Sequence, residues 1–336
     1  MRKTQTICTI GPASESSDII EKLIIEGVDI LRLNFSHASY EQFSSVKKNV
    51  DFFNKKYQKN IKILIDLQGP RMRVGDLPKN GIELKENAEL IFSTDKNEEN
   101  AIYINDQYLH DDIQVNHPLF LANGDIELIV TGKNNNKIYT SIVRGGTLHS
   151  RKAVNVPETN LTTRGLTEKD KKDVIFGIAN KVDYFALSFV KDAEDIKQLR
   201  EIIGESTSKI IAKIELKQSI LNINEIINIS DAIMVARGDL GIELPLEELP
   251  LLQKEIISSC KLVEKKSIVA TQMLMSMVGH HRPTRAEVSD VANAVLDGAS
   301  ILMLSDETAF GSYPIESLQY LIRIINRTER FIEFGK

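Results

Sequence analysis

Short apolar runs alternate along this chain with longer stretches in which apolar residues recur every three or four positions. The short runs predict strands at about 4–10, 29–36, 62–68, 182–190, 209–215, 232–237, 267–271 and 300–304. The longer stretches predict helices at about 16–27, 39–56, 168–180, 192–204, 217–229, 246–264, 284–297 and 314–332. Eight strand–helix units in succession point to an α/β fold, a (β/α)8 TIM barrel. A doubly wound open sheet is the competing arrangement, but no Gly-x-Gly-x-x-Gly turn follows the first strand. Helix starts carry their own signals. Thr284 with Glu287 reads as a capping box, Thr167 with Asp170 as a weaker one, and Pro245 suits a first helical turn.

The alternation breaks between the third and fourth units. Residues 74–153 show short β-like runs separated by Lys79-Asn80-Gly81, Ala122-Asn123-Gly124-Asp125, Gly132-Lys133-Asn134 and Gly145-Gly146. That turn chemistry predicts a small all-β domain, a β-barrel cap, inserted after the third strand. Residues 1–73 and 154–336 then form the barrel, about 256 residues against the ~250 typical of the fold. A cap over the active face is the natural role for such an insertion.

Composition changes this picture little. The chain has 336 residues and a net charge of -5, which argues against nucleic acid or an anionic membrane as partner. An anionic substrate needs a local basic site instead. Cys8 and Cys260 are far apart in apolar surroundings and read as reduced core thiols. With no apolar stretch of membrane-spanning length and no signal peptide, the expected location is cytoplasmic.

In a barrel, chemistry comes from the C-terminal strand ends. The second strand ends Arg32-Leu33-Asn34-Phe35-Ser36-His37, with Arg32, Asn34 and Ser36 sharing one face. The third ends in Asp66, followed by Leu67-Gln68-Gly69-Pro70-Arg71-Met72-Arg73. Lys213 and Glu215 share a face of the fifth; a structural ion pair is the plain alternative. The sixth leads into Arg237-Gly238-Asp239, so Glu215 and Asp239 bring two carboxylates to adjacent strand ends. Such oxygen ligands suit Mg2+ or Mn2+. Thr271 places a hydroxyl at the end of the seventh. His280 and His281 read as surface loop residues. Together these groups fit metal-assisted phosphoryl transfer.

At these residues the sequence resembles pyruvate kinase. The resemblance rests on Cys8-Thr9-Ile10-Gly11-Pro12-Ala13-Ser14, Arg32-Leu33-Asn34-Phe35-Ser36-His37, Ala212-Lys213-Ile214-Glu215, Met234-Val235-Ala236-Arg237-Gly238-Asp239-Leu240-Gly241, Ala270-Thr271-Gln272-Met273-Leu274 and Arg282-Pro283-Thr284-Arg285-Ala286-Glu287. It implies a glycolytic phosphotransferase with phosphoenolpyruvate and ADP as substrates and pyruvate and ATP as products. It further implies that Glu215 and Asp239 hold Mg2+, and that Lys213 stabilises the transferring phosphoryl group and the enolate oxygen. By the same likeness Arg32 contacts the phosphoryl group, while Gly238, Asp239 and Thr271 receive the carboxylate. Arg73, Lys152 and His37 are implied as nucleotide contacts.

The likeness is not complete. Typical members bind K+ through positions matching Asn34, Ser36, Asp66 and Leu67, and carry an acidic residue where this chain has Arg71. A cation there opposes ion binding by about 4 kcal/mol at ~4 Å. The pattern resembles members that work without potassium, so K+-independent activity is expected, with Arg71 as internal cation. Leu216, Met275 and Asp306 replace a usual Asn, Asp and Gly. Asp306 keeps open a divergent paralogue with another acceptor; a non-catalytic paralogue is the remaining alternative. The family's usual C-terminal regulatory domain has no counterpart in the sequence. Hyperbolic kinetics are therefore expected, and a dimer through barrel helices remains open.

Overall fold

The computed structural model describes residues 2–335; Met1 and Lys336, the outermost positions of the expected barrel segments, lie outside them. Eight parallel strands close into a barrel: Gln5–Ile10 (β1), Ile30–Asn34 (β2), Lys62–Asp66 (β3), Tyr184–Leu187 (β4), Lys209–Ile214 (β5), Ala232–Ala236 (β6), Lys266–Ala270 (β7) and Ile301–Leu304 (β8). Each strand pairs with its sequence neighbours, and β1 closes on β8 through Gln5↔Ile301 to Cys8↔Leu304. The predicted strands are all present, though shorter at their polar ends.

Both faces of these strands are buried, which is why they read as apolar runs rather than alternating ones. Ile7, Ile30, Leu64, Ile211, Met234 and Ile268 fill the barrel interior. The outward residues, such as Leu31, Ile63, Phe185 and Ile233, pack under the helices. Cys8 and Cys260 are buried there as free thiols, and burial pushes the Cys260 thiol up to about 12.

The helices start where local chemistry allows. Thr284 and Glu287 form a reciprocal capping box, and so do Thr167 and Asp170. Pro245 is not in a first helical turn: the helix Leu249–Leu262 starts later, and Pro250 occupies that turn. The stretch predicted as one helix over 217–229 breaks at Asn222 into Lys217–Leu221 and Ile223–Ile229. The side chain of Asn222 donates to the Lys191 carbonyl at 3.0 Å. Arg237–Glu243 forms a short helix that periodicity did not anticipate. No helix among the described residues is long and apolar enough to cross a membrane.

Between β3 and β4 the chain builds a mostly antiparallel β unit with its own core, including Phe92, Leu119, Leu128 and Ile138. A six-stranded sheet runs in the order Val154–Asn155, Pro118–Leu121, Ile126–Asn134, Lys137–Arg144, Glu89–Ser93, Ile102–Tyr103. Gly146–Leu148 pairs separately with Ile82–Leu84. Gly132 is not in a turn but at a bulge; the hairpin reverses at Asn135 and Asn136, with Asn135 left-handed at φ 48°.

The segments entering and leaving this unit both grip the Arg237–Glu243 helix. Before it, Arg71 pairs with Asp239 at 2.7 Å. On its last strand, where the chain leaves it, Asn155 Nδ2 donates to Glu243 Oε1 at 3.1 Å. Burial pushes the Glu243 carboxyl up to about 7, although Asn155 and the Lys217 backbone favour its charged form. A carboxyl whose folded value lies above its unfolded value of 4.5 carries no penalty below that pH and costs stability as pH rises through about 7. Relative to Glu243→Gln, the wild type should lose about 2–3 kcal/mol of stability between pH 5 and pH 8. Urea unfolding at the two pH values measures this; parallel pH dependences of wild type and variant would contradict it.

Candidate active site

The polar ends of the strands meet at the C-terminal rim. A pocket of about 510 Å³ there is lined by Arg32, Asn34, Ser36, Asp66, Leu67, Arg71, Lys213, Glu215, Asp239 and Thr271, among others.

Asp66, at the end of β3, is the central acceptor. It is 1% exposed and takes Arg32 Nε at 2.7 Å and Lys213 Nζ at 3.1 Å. Burial alone would raise this carboxyl, but the Lys213 and Arg32 charges outweigh it and hold Asp66 below the usual range. Arg32 Nη1 also donates to Thr9 Oγ1 at 2.8 Å. Lys213 Nζ has two further partners, Glu215 Oε1 at 2.9 Å and Ser188 Oγ at 2.7 Å. Burial would depress the ammonium, yet Asp66 and Glu215 keep it above its ordinary value. The ion-pair lysine and the pocket-lining lysine are thus the same residue.

Glu215 is less well compensated. It is 2% exposed and accepts from the Phe189 backbone N–H at 2.8 Å. Burial pushes its carboxyl up; Lys213 opposes this, but that lysine is shared with Asp66, and Asp239 adds negative charge. Glu215 is therefore undercompensated, while Asp239 has its own partner in Arg71 at 2.7 Å. Two carboxylate donors on neighbouring strand ends fit a hard divalent cation that takes its remaining oxygens from substrate and water. No group of three or more His, Cys, Asp or Glu gathers at a metal-sized spot among the described residues, so any metal here has open positions.

Arg71 lines this pocket beside Asn34, Ser36, Asp66 and Leu67, but its guanidinium pairs with Asp239 and lies 5.8 Å from the Phe189 ring centre. Gly238 N donates to Thr271 Oγ1 at 2.8 Å, and a Cβ at Gly238 would meet that oxygen at 3.4 Å. The residues expected to bind nucleotide do not line the pocket. Arg73 is half-buried and donates to the Arg151 carbonyl at 2.8 Å; Lys152 and His37 are exposed. Burial, then Arg71, pull Arg73 below its ordinary value while Asp239 opposes, which marks it as a neighbour of the pocket. Of the unusual residues, Met275 is exposed and Leu216 lines a separate cavity next to Glu243. Burial raises the Asp306 carboxyl, with Arg32 acting against it.

Sequence reasoning missed Thr9, Ser188 and Phe189. Each follows or ends a strand, as the rim rule requires, but none carries a charge that would have marked it.

Asp66→Asn leaves Arg32 and Lys213 buried around a neutral group. A loss of about 3–5 kcal/mol is expected in denaturant unfolding. A loss under about 1 kcal/mol would show that the two cations find other partners.

The chain matches the family described as pyruvate kinase, barrel domain, over residues 1–318. It is 43% identical to the pyruvate kinase of Bacillus licheniformis, an alignment covering 100% of this chain and 59% of that protein. Identity to the Geobacillus stearothermophilus pyruvate kinase is 42%, covering 99% and 58%. For the Thermotoga maritima pyruvate kinase the figures are 41%, 99% and 72%. The chain therefore spans less than two thirds of the first two relatives. Taken with the closed barrel and the pocket at its rim, a match over this much of the sequence shows that the chain belongs to the pyruvate kinase family.

Proposed function

We propose that this chain transfers the phosphoryl group of phosphoenolpyruvate to ADP, giving ATP and pyruvate. The observation that carries this is a buried ammonium fixed by three acceptors, Asp66, Glu215 and Ser188, with Arg32 tied to the same Asp66. Two cations held this way are fixed where negative charge develops, and Lys213, whose three donors are all engaged, exchanges one of these partners for a substrate oxygen.

Arg32 and Lys213 bind the phosphoryl oxygens. The Asp239 backbone N–H and the Thr271 hydroxyl orient the carboxylate, and the Gly238 N–H, which donates to Thr271 Oγ1, is shared between that oxygen and the carboxylate. Glu215 and Asp239 hold the divalent ion. Bound there, Mg2+ or Mn2+ supplies neutralisation of phosphoryl and carboxylate charge. The bond from phosphorus to the enol oxygen breaks as the terminal ADP oxygen attacks, and Lys213 stabilises the enolate left behind. A proton then reaches the methylene carbon from the side of Thr271. Arg73, Lys152 and His37 bind the nucleotide phosphates, and closure of the inserted unit excludes water that would compete with ADP.

Arg71 serves as the resident cation in place of K+. Its support is that it lines the pocket with Asn34, Ser36, Asp66 and Leu67, and that the Asp66 oxygens already have two cations.

A pyruvate-release assay with phosphoenolpyruvate and ADP tests the reading. Product should require both ADP and Mg2+, and Lys213→Met should lower the rate by about 10²–10³-fold or more. Replacing tetramethylammonium by potassium should change the initial rate by less than about twofold, since Arg71 already supplies the charge. No pyruvate in the complete mixture would overturn the reaction; many-fold stimulation by potassium would overturn the role of Arg71 alone.

A further inference from the structure

β7 ends at Ala270, and the chain then takes an unfavourable path. Thr271 has φ 70° and Gln272 φ 54°, two left-handed residues in succession, neither of them glycine. The first is β-branched, for which this region is a true outlier. Such residues are strained and persist only where their surroundings hold them.

The holding group is Arg237, the first residue after β6. Its Nε and Nη2 both donate to the Thr271 carbonyl, at 3.2 and 2.7 Å. Nη2 also reaches Met273 Sδ at 3.0 Å. Nη1 donates to both carboxylate oxygens of Asp290, at 2.8 and 2.7 Å, on the helix Arg285–Asp297. The guanidinium is 10% exposed and does not line the substrate pocket. On the other side of the same residue, the Thr271 hydroxyl accepts from Gly238 N–H. Consecutive residues of the β6 loop thus fix the two ends of Thr271: Arg237 its carbonyl, Gly238 its side chain. The planar fork of arginine engages the carbonyl and the carboxylate from separate nitrogens fixed in one plane, a geometry that the single nitrogen of a lysine does not reproduce.

We propose that Arg237 is a positioning residue. Anchored by Asp290, its guanidinium keeps Thr271 left-handed and so aims the Thr271 hydroxyl into the pocket. The inference rests on the reading of Thr271 given under the proposed function. Without Arg237 the peptide after Thr271 relaxes, the hydroxyl leaves the Gly238 N–H, and the proton-delivery side of the pocket loses its shape.

The test is a double-mutant cycle of Arg237→Gln and Thr271→Val, with Arg237→Lys and Asp290→Asn as milder variants in case the first folds poorly. Two rates are read in each: pyruvate formation, and deuterium uptake at the pyruvate methyl group in heavy water. Arg237→Gln should reduce deuterium uptake by the same factor as Thr271→Val, and the double variant should be no slower than either alone. Arg237→Lys should retain the defect despite its charge. Independent, multiplying losses would overturn the proposal, as would a lower melting temperature with both rates unchanged. A crystal structure of Arg237→Gln or Asp290→Asn decides the matter apart from activity. Thr271 still at positive φ would overturn the proposal even if the reaction is as described. Thr271 released in an enzyme that makes no pyruvate would uphold the positioning and sink the reaction.

Discussion

The ammonium of Lys213 is shared between two buried carboxylates, and the rest of the site follows from that sharing. Asp66 has Arg32 as a second cation and is fully compensated. Glu215 has only its part of Lys213 and a backbone N–H, and nearby Asp239, although paired with Arg71, adds negative charge to its surroundings. In a buried site such an imbalance weighs far more than it would in water. It produces a rim on which Arg32 and Lys213 stand together at Asp66, and Glu215 is left the least compensated carboxylate. The barrel makes this possible because β3, β4 and β5 are neighbours, so their ends converge within hydrogen-bonding distance.

Among the described residues, three cationic side chains (Arg32, Arg71, Lys213) and three carboxylates (Asp66, Glu215, Asp239) line the pocket. The lining is therefore nearly neutral, and neither a bare divalent ion nor a highly charged anion is favoured by net charge alone. In the proposed reaction a divalent ion and a phosphorylated acid enter together, which disturbs this balance less than either alone. The inserted unit is wired to the same balance. Its entering segment holds Asp239 through Arg71, and its leaving segment holds Glu243 through Asn155, one turn further along a seven-residue helix. A change in the orientation of the insert thus acts first on the helix that carries Asp239.

Much of the fold was legible because barrel strands are buried on both faces and leave unbroken apolar runs, as in Ile63-Leu64-Ile65 and Ile233-Met234-Val235. The insertion was legible from its turns, although Gly132 marked a bulge instead. The pocket's charged residues were legible because charge at the end of an apolar run is conspicuous. Their partners were not. Ser188 and Thr9 look like ordinary residues at strand ends, and only closure of the barrel brings them to Lys213 and Arg32. Arg71 was placed from the sequence near Asn34 and Asp66, but its bond to Asp239 spans 168 positions and no local pattern encodes it. Arg237 was visible only as part of a motif. Its hold on Thr271 depends on two successive left-handed residues that the sequence Ala-Thr-Gln-Met gives no reason to expect.

Whether Glu215, the undercompensated carboxylate of this rim, takes a divalent ion is tested most directly by binding Mn2+ to the free protein and following it by electron paramagnetic resonance. The wild type should bind the ion, and Glu215→Gln should weaken it by about tenfold or more. Arg71→Gln, by releasing Asp239 from its ion pair, should tighten it. Equal Mn2+ affinity in wild type and Glu215→Gln would contradict the account.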